Sequence, residues 1–261
     1  MSAFVYPTSS GGGGHTSTVI WSVDFSAVAD HDFKSSGSLS LGGVTFSEEN
    51  ASGQDVFGVV SGELVIEGGA SGGYYGSTFT APLLACDWSD LMALTETGAY
   101  DSTKKYVWRM IMSSGSPMPS TSGYEGPFLG IRRNKATSGM DCHLGLYQAN
   151  YRAAKGGTTV RDNARGNTGT STPRSFAVAY GQAGASWLVS NSDLTDSAAL
   201  AGEPINAGYM KNDLSNTGIG ITPVPDSLDL ANAACQGYFG CLSKASGSAF
   251  KYQRVELHEV G

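Results

Sequence analysis

The chain is 261 residues long, with 40% apolar residues, only 15% charged residues, 36 glycines and a formal net charge of −7. Its basic residues are scattered, Lys104-Lys105 and Arg132-Arg133 being isolated pairs, so neither a nucleic-acid groove nor an anionic membrane surface finds its electrostatic counterpart. No apolar run approaches the roughly 18 residues of a membrane helix, which predicts a soluble protein covered largely by Ser, Thr, Asn and Gly.

The chain opens MSAFVYPTSSGGGGHTST. It has no basic n-region, and its longest early apolar run, Ala3 to Tyr6, is too short for an export signal. Phe4, Val5, Tyr6 and Pro7 form a short apolar-aromatic tip, and Gly11, Gly12, Gly13 and Gly14 follow as a hinge. Four successive glycines lose too much backbone entropy to be held in a helix or strand. Two readings stand: an ordinary frayed terminus, or a tether in which residues 1–8 dock on a partner and residues 9–18 let the body swing.

From Val19 onward the apolar residues recur with period two, the spacing of strands. Val19, Trp21, Val23 and Phe25 alternate with Ile20, Ser22 and Asp24. Leu39–Leu41 and Val44–Phe46 flank Gly42-Gly43, a two-residue hairpin signal. Glu63–Glu67 follows Ser61-Gly62, and Ser77–Thr80 reads as a short strand. DWSDLMAL breaks the period; there Asp87 would cap a short helix carrying Trp88, Leu91, Met92 and Leu94, with Trp88 plugging one end of the fold. Tyr106–Met112, Phe128–Arg132 and Cys142–Tyr147 are the strongest strands. Ser175–Tyr180 and Ala185–Ser190 form a hairpin around residues 181–184. Gly218–Thr222 is a weak strand and Tyr238–Leu242 a better one. In the closing stretch, Phe250, Tyr252, Val255 and Leu257 are apolar, and Arg254, Glu256 and His258 predict a wet opposite face.

Three polar stretches, 113–126, 150–173 and 191–216, read as long loops. About a dozen strands with almost no helix make an all-β, two-sheet antiparallel sandwich. No composition shift marks a second domain, so the division is an arm over 1–18 and a sandwich over 19–261.

The four cysteines, Cys86, Cys142, Cys235 and Cys241, lack the paired spacing of a zinc site. They read as buried thiols, with a Cys235–Cys241 disulfide left open. Asn191, Asp193 and Asp196, and the run Arg161-Asp162-Asn163, supply hard oxygen ligands, but neither has the order of a calcium loop and turn-forming residues explain both. No cofactor is expected. His15, His31, His143 and His258 are dispersed, and no nucleophile elbow or phosphate loop occurs. Trp21, Trp108 and Trp187 fall in strands and belong to the core. Tyr74, Tyr75, Tyr124 and Tyr151, with Tyr147 and Tyr209, are the aromatic platforms on which a sugar could stack.

The strand order resembles the concanavalin A-like (laminin G-like) jelly roll. WSVDFSA leads into SLSLGGVTF and FGVVSGELVIEGG; YVWRMIM, FLGIRR, CHLGLYQ, SFAVAY and ASWLVS match its long sheets; AFKYQRVELHEV matches its last strand, which pairs back near the first. Jelly-roll glycosidases carry E-x-D-x-x-E or E-x-D-x-E on one concave strand, because their chemistry needs two carboxylates about 5 Å apart. Here Glu48-Glu49, Glu63 with Glu67, and Glu256 with Glu259 do not reproduce that strand.

The texture is also similar to structural proteins of tailed bacteriophages, in which such sandwiches decorate capsids or form tail fibres on a short arm. That resemblance implies a non-enzymatic virion protein displayed on capsid or tail, assembled in the host cytoplasm. Its partners would be other virion proteins and cell-surface glycans, without nucleic acid or membrane insertion. Closed symmetry is usual for such parts, and a homotrimer is the expectation. The alternatives are a free-standing carbohydrate-binding module or adhesin and, third, a glycoside hydrolase with a divergent site.

Overall fold

The computed structural model describes residues 17–49, 56–67, 83–113, 126–132, 142–147, 150–155, 158–164, 174–181, 184–190, 235–242 and 249–260. In chain order the strands are β1 (Ser17–Asp24), β2 (His31–Asp32), β3 (Leu39–Leu41), β4 (Val44–Glu49), β5 (Val56–Val60), β6 (Glu63–Glu67), β7 (Leu83–Asp87) and β8 (Lys105–Met112). They continue as β9 (Gly126–Arg132), β10 (Cys142–Tyr147), β11 (Asn150–Lys155), β12 (Thr158–Ala164), β13 (Arg174–Gly181), β14 (Gly184–Ser190), β15 (Gln236–Leu242) and β16 (Ala249–Val260). Two short helices, α1 (Phe33–Ser36) and α2 (Trp88–Met92), interrupt them.

The strands form two antiparallel sheets, as the sequence pattern requires. The first runs β14-β13-β8-β16-β6-β5-β2, and the second β12-β11-β10-β9-β15-β7-β4-β3. After β7 the chain alternates between them: β8 in the first, β9–β12 in the second, β13 and β14 in the first, β15 in the second, β16 in the first. This is a jelly-roll sandwich. The long β16 pairs with β8 along one side. On its other side β6 takes Ala249–Tyr252 and β1 takes Arg254–Val260. Ser17 therefore stands opposite Val260, and the first and last described strands end together.

The core lies between the sheets and is aromatic. Trp21 stacks on Trp108 at 5.6 Å and on Phe46 at 5.4 Å. Phe239 lies 5.6 Å from Phe46 and 6.2 Å from Trp108, so the rings of both sheets join in one cluster. Such pairs add about 0.5–1.5 kcal/mol each beyond their buried area. Two indole N–H groups, costly to bury unpaired, donate across the fold: Trp21 Nε1 to the Leu41 carbonyl at 2.9 Å, Trp108 Nε1 to the Tyr238 carbonyl at 3.2 Å. Trp88 closes this core, edge-on to Tyr106 at 6.3 Å and to Trp108 at 6.5 Å.

The Gly42-Gly43 turn forms as expected, both residues at positive φ (58° and 89°). A Cβ on Gly42 would stand 2.8 Å from Trp21 Nε1, so glycine is required there twice over, by backbone and by ring. Ser61-Gly62 turns β5 into β6 in the same way, with Ser61 at φ 52° and its N–H donating to Asp30 Oδ1.

Several expectations are corrected. Residues 150–164 are no loop: β11 and β12 form a hairpin beside β10, so Arg161, Asp162 and Asn163 lie in a strand opposite Ala153, Arg152 and Tyr151 rather than in a cation-binding loop. Strands whose sequence carries no apolar stripe give no hydrophobic alternation to read. Asp87 occupies the cap position of α2 but its side chain makes no capping bond. The strand continues through it, and the Trp88 N–H donates instead to the Cys235 carbonyl at 2.9 Å. Cys86 and Cys235 are buried thiols outside any disulfide. Cys235 and Cys241 lie near opposite ends of β15, and six residues of strand at about 3.3 Å each place them beyond disulfide reach. Ser77–Thr80, Gly218–Thr222 and the stretch 191–216 lie outside the described residues.

Candidate functional site

The feature with most chemistry among the described residues sits where the sequence predicted water. In β8, Tyr106, Trp108, Met110 and Met112 face the core cluster. In β16, Phe250 and Tyr252 do so, and then Val255 and Leu257. The change of parity is absorbed by a bulge between Tyr252 and Arg254, where Gln253 is the extra residue against β8. The bulge puts Arg254, Glu256 and His258 together on the opposite face, with Glu256 directly across from Arg109 of β8.

That face is dry. Arg109 is 1% exposed, His258 4% and Glu256 7%, and their neighbours on β8, Val107 and Ile111, are also buried. The expected wet positions of Glu256 and His258 are therefore corrected: the strand is buried on both faces there, while Arg254 keeps 28% of its side chain exposed. Charges so buried persist only when paired. Arg109 Nη1 donates to Glu256 Oε2 at 3.0 Å, His258 Nε2 shares a hydrogen bond with the same oxygen at 2.8 Å, and Arg254 Nε lies 2.6 Å from Oε1. Burial pushes the Glu256 carboxyl up; the His258 hydrogen bond and the charges of Arg109, His258 and Arg254 outweigh it, leaving the group below its ordinary value of 4.5. On the neighbouring strand Asp24 stands opposite Arg254, and its carboxyl is lowered by hydrogen bonds from the Ser26 hydroxyl and N–H.

Chemically this is a brace. A general acid needs a raised carboxyl, and a nucleophile or base needs a free lone pair aimed at substrate. Glu256 is held ionised and engaged on both oxygens. The other carboxylates weighed from sequence are no closer to that role. Glu63 pairs with Lys251 at 3.1 Å, and Glu49 accepts from the buried Gln236 amide at 2.7 Å. Among the described residues no group of three or more His, Cys, Asp or Glu could hold a metal ion, and no helix is long and apolar enough to cross a membrane.

Of the sequence-predicted site residues, Tyr151 lies on β11, opposite Leu146 of β10 and Asn163 of β12. Phe4, Val5, Tyr6, Pro7, the four glycines 11–14, Tyr74, Tyr75 and Tyr124 lie outside the described residues. The brace was missed, although a signal existed. Arg109 is the sole charge inside YVWRMIM, a strand apolar at both parities, and the parity break in FKYQRVEL marks the bulge.

No protein family matches the chain, and no curated protein matches it. Among solved structures it is similar to the CBM2 module of Lactobacillus casei BL23 phage J-1 evolved Dit, over 94% of this chain and 97% of that one, at 10% identity and a TM-score of 0.44. It is similar to truncated AlyQ with CBM32 and alginate lyase domains over 80% of this chain and 55% of that one, at 13% identity and a TM-score of 0.43. A mutant of Trypanosoma rangeli sialidase displaying trans-sialidase activity is similar over 83% of this chain and 27% of that one, at 11% identity and a TM-score of 0.40. The chain thus covers well under two thirds of AlyQ and of the sialidase. At these identities and scores the likenesses carry no argument about ligand or reaction.

Proposed function

We propose that this chain is a non-enzymatic structural protein of a virus particle, of the tailed-bacteriophage kind, displayed on capsid or tail and held to it from one point. The observation that carries the reading is the pairing of Ser17 with Val260. Chain enters and leaves the sandwich at the same place, so a body hung there keeps both sheets clear of its support. Of the arm expected over 1–18, Ser17 and Thr18 pair within β1, so residues 1–16 serve as the arm, with FVYP docking on other virion proteins and the four glycines as the hinge. The saturated Glu256 site agrees with a role that needs no reaction, and the bonded core suits a module that must stay folded outside a cell.

The test is quantitative mass spectrometry of purified particles, as copies of this chain per major shell protein. A fixed ratio supports the reading: near one per shell subunit, or per three, for a capsid decoration, and a few per particle for a fibre. Absence from particles overturns it. Within particles, deletion of residues 1–16 is expected to leave the body folded and abolish incorporation; undiminished incorporation would refute the tether.

A free-standing carbohydrate-binding module or adhesin is the second reading. It is favoured by the position of Tyr151, one strand in from the end of the second sheet. It predicts glycan binding at millimolar sugar, weakened by Tyr151→Ala; a flat titration with every sugar class removes it.

A further inference from the structure

β1 carries the chain into the core, and its two halves are held by different means. Ser17, Thr18 and Val19 pair with Val260, Glu259 and His258, and Trp21 to Asp24 pair with Leu257 to Arg254. Between them Ile20 has no partner on β16. It is the extra residue of a bulge, and a bulge interrupts the ladder. Burial changes at the same point. Thr18 and Val19 are half-buried, whereas Trp21, Val23 and, beyond the strand, Phe25 are buried in the core cluster. Trp21 is fixed there by its stacking on Phe46 and Trp108 and by the bond from Nε1 to the Leu41 carbonyl. Ile20, half-buried, packs against the same cluster.

Such a strand does not open evenly, because local opening costs least where few buried apolar contacts must be broken. Up to Val19 the cost is backbone bonds to β16 and little side-chain burial. β16 keeps its place on release, since His258, Glu259 and Val260 also pair with Val107, Tyr106 and Lys105 of β8. From Trp21 onward, opening would break the ring cluster as well.

We infer that Ser17–Val19 is a releasable strap, which detaches from β16 as one unit about Ile20 while Trp21 holds the rest of β1 in place. Its use rests on the tether reading. Drawn out, its residues at about 3.3 Å each add roughly 10 Å to the reach of the arm, and Trp21 stops the pull from reaching the core. The body then yields to a load on its arm without unfolding.

The experiment is native-state hydrogen exchange of the full chain, resolved to single amides. The expected profile is a step at Ile20: hydrogen-bonded amides within Ser17–Val19 exchange at least tenfold faster than those within Trp21–Asp24. Deletion of Ile20 sets Val19 next to Trp21 in continuous register with His258 and Leu257 and is expected to erase the step. Even or smoothly graded protection along β1 of the parent chain overturns the inference, and so does a step that persists in the folded deletion variant. If that variant does not fold, the profile of the parent chain decides alone. The arm is judged separately, by incorporation into particles. A step together with undiminished incorporation of the chain lacking residues 1–16 keeps the strap and removes its use; lost incorporation without a step keeps the arm and removes the strap.

Discussion

β8 and β16 lie side by side in the first sheet, and their two faces are built from opposite chemistries. Toward the core, Trp108, Met110, Val255 and Leu257 join the ring cluster that binds one sheet to the other. Away from it, Arg109, Arg254 and His258 close on the single carboxylate of Glu256. Both faces are buried where Arg109, Glu256 and His258 meet, with Arg254 at the rim, yet their energetics differ in kind. Apolar burial adds stability in proportion to area. A buried charge cluster adds little net stability and chiefly penalises its own disruption, since each charge left without its counterpart keeps its full desolvation cost.

The largest expected effect is on the apolar face. Trp108→Ala removes ring contacts with Trp21, Trp88 and Phe239 and should cost about 3–5 kcal/mol in urea unfolding. A loss below about 1 kcal/mol would mean that the two sheets are not held by this cluster.

Next comes the charged face. Glu256→Gln leaves Arg109, Arg254 and His258 around a neutral amide and should cost about 3 kcal/mol at neutral pH. The same residue sets an acid limit. Its carboxyl is lower in the folded than in the unfolded chain, so its contribution is complete above its ordinary value of 4.5 and is lost as pH falls through the depressed folded value. The difference in unfolding free energy between the parent and Glu256→Gln should therefore shrink on acidification below that value. A constant difference down to the acid limit would show that the pairing does not hold the carboxyl ionised.

The smallest effect sharpens the contrast on the same strand. Lys251 and Glu63 also pair across β16 and β6, at 3.1 Å, but their side chains are 44% and 28% exposed. Glu63→Ala should change stability by no more than about 0.5 kcal/mol, and less in high salt. A cost equal to that of Glu256→Gln would mean that burial is not what separates the two sites.

Much of the fold was legible because it is written in local alternation. Tyr106–Met112 could be placed from its density of aromatic and β-favouring residues, and Ser175–Tyr180, Ala185–Ser190 and the Gly42-Gly43 hairpin from side-chain period and turn chemistry, since a strand with one buried face alternates and a tight turn needs positive φ. β11 and β12 could not, because Asn-Tyr-Arg-Ala-Ala-Lys and Thr-Thr-Val-Arg-Asp-Asn-Ala carry no apolar stripe. β7 was passed over, as Leu-Leu-Ala-Cys-Asp is buried on both faces and so has no period. The candidate site was still less legible: Glu256 reads as solvated beside Arg254 and His258 until Arg109, 147 residues earlier in the chain, is set against it.

By itself, then, the sequence determined the class of fold, the positions of most strands, the tight turns and the core places of Trp21, Trp88 and Trp108. Each of these depends on neighbours within a few residues. Only the tertiary structure decided which strands are adjacent, that Glu256 and His258 on the far face of β16 are dry, and that both ends of the sandwich meet at Ser17 and Val260. Those depend on pairing between distant segments, where backbone hydrogen bonds are the same for every sequence and register is chosen by the packing of the whole.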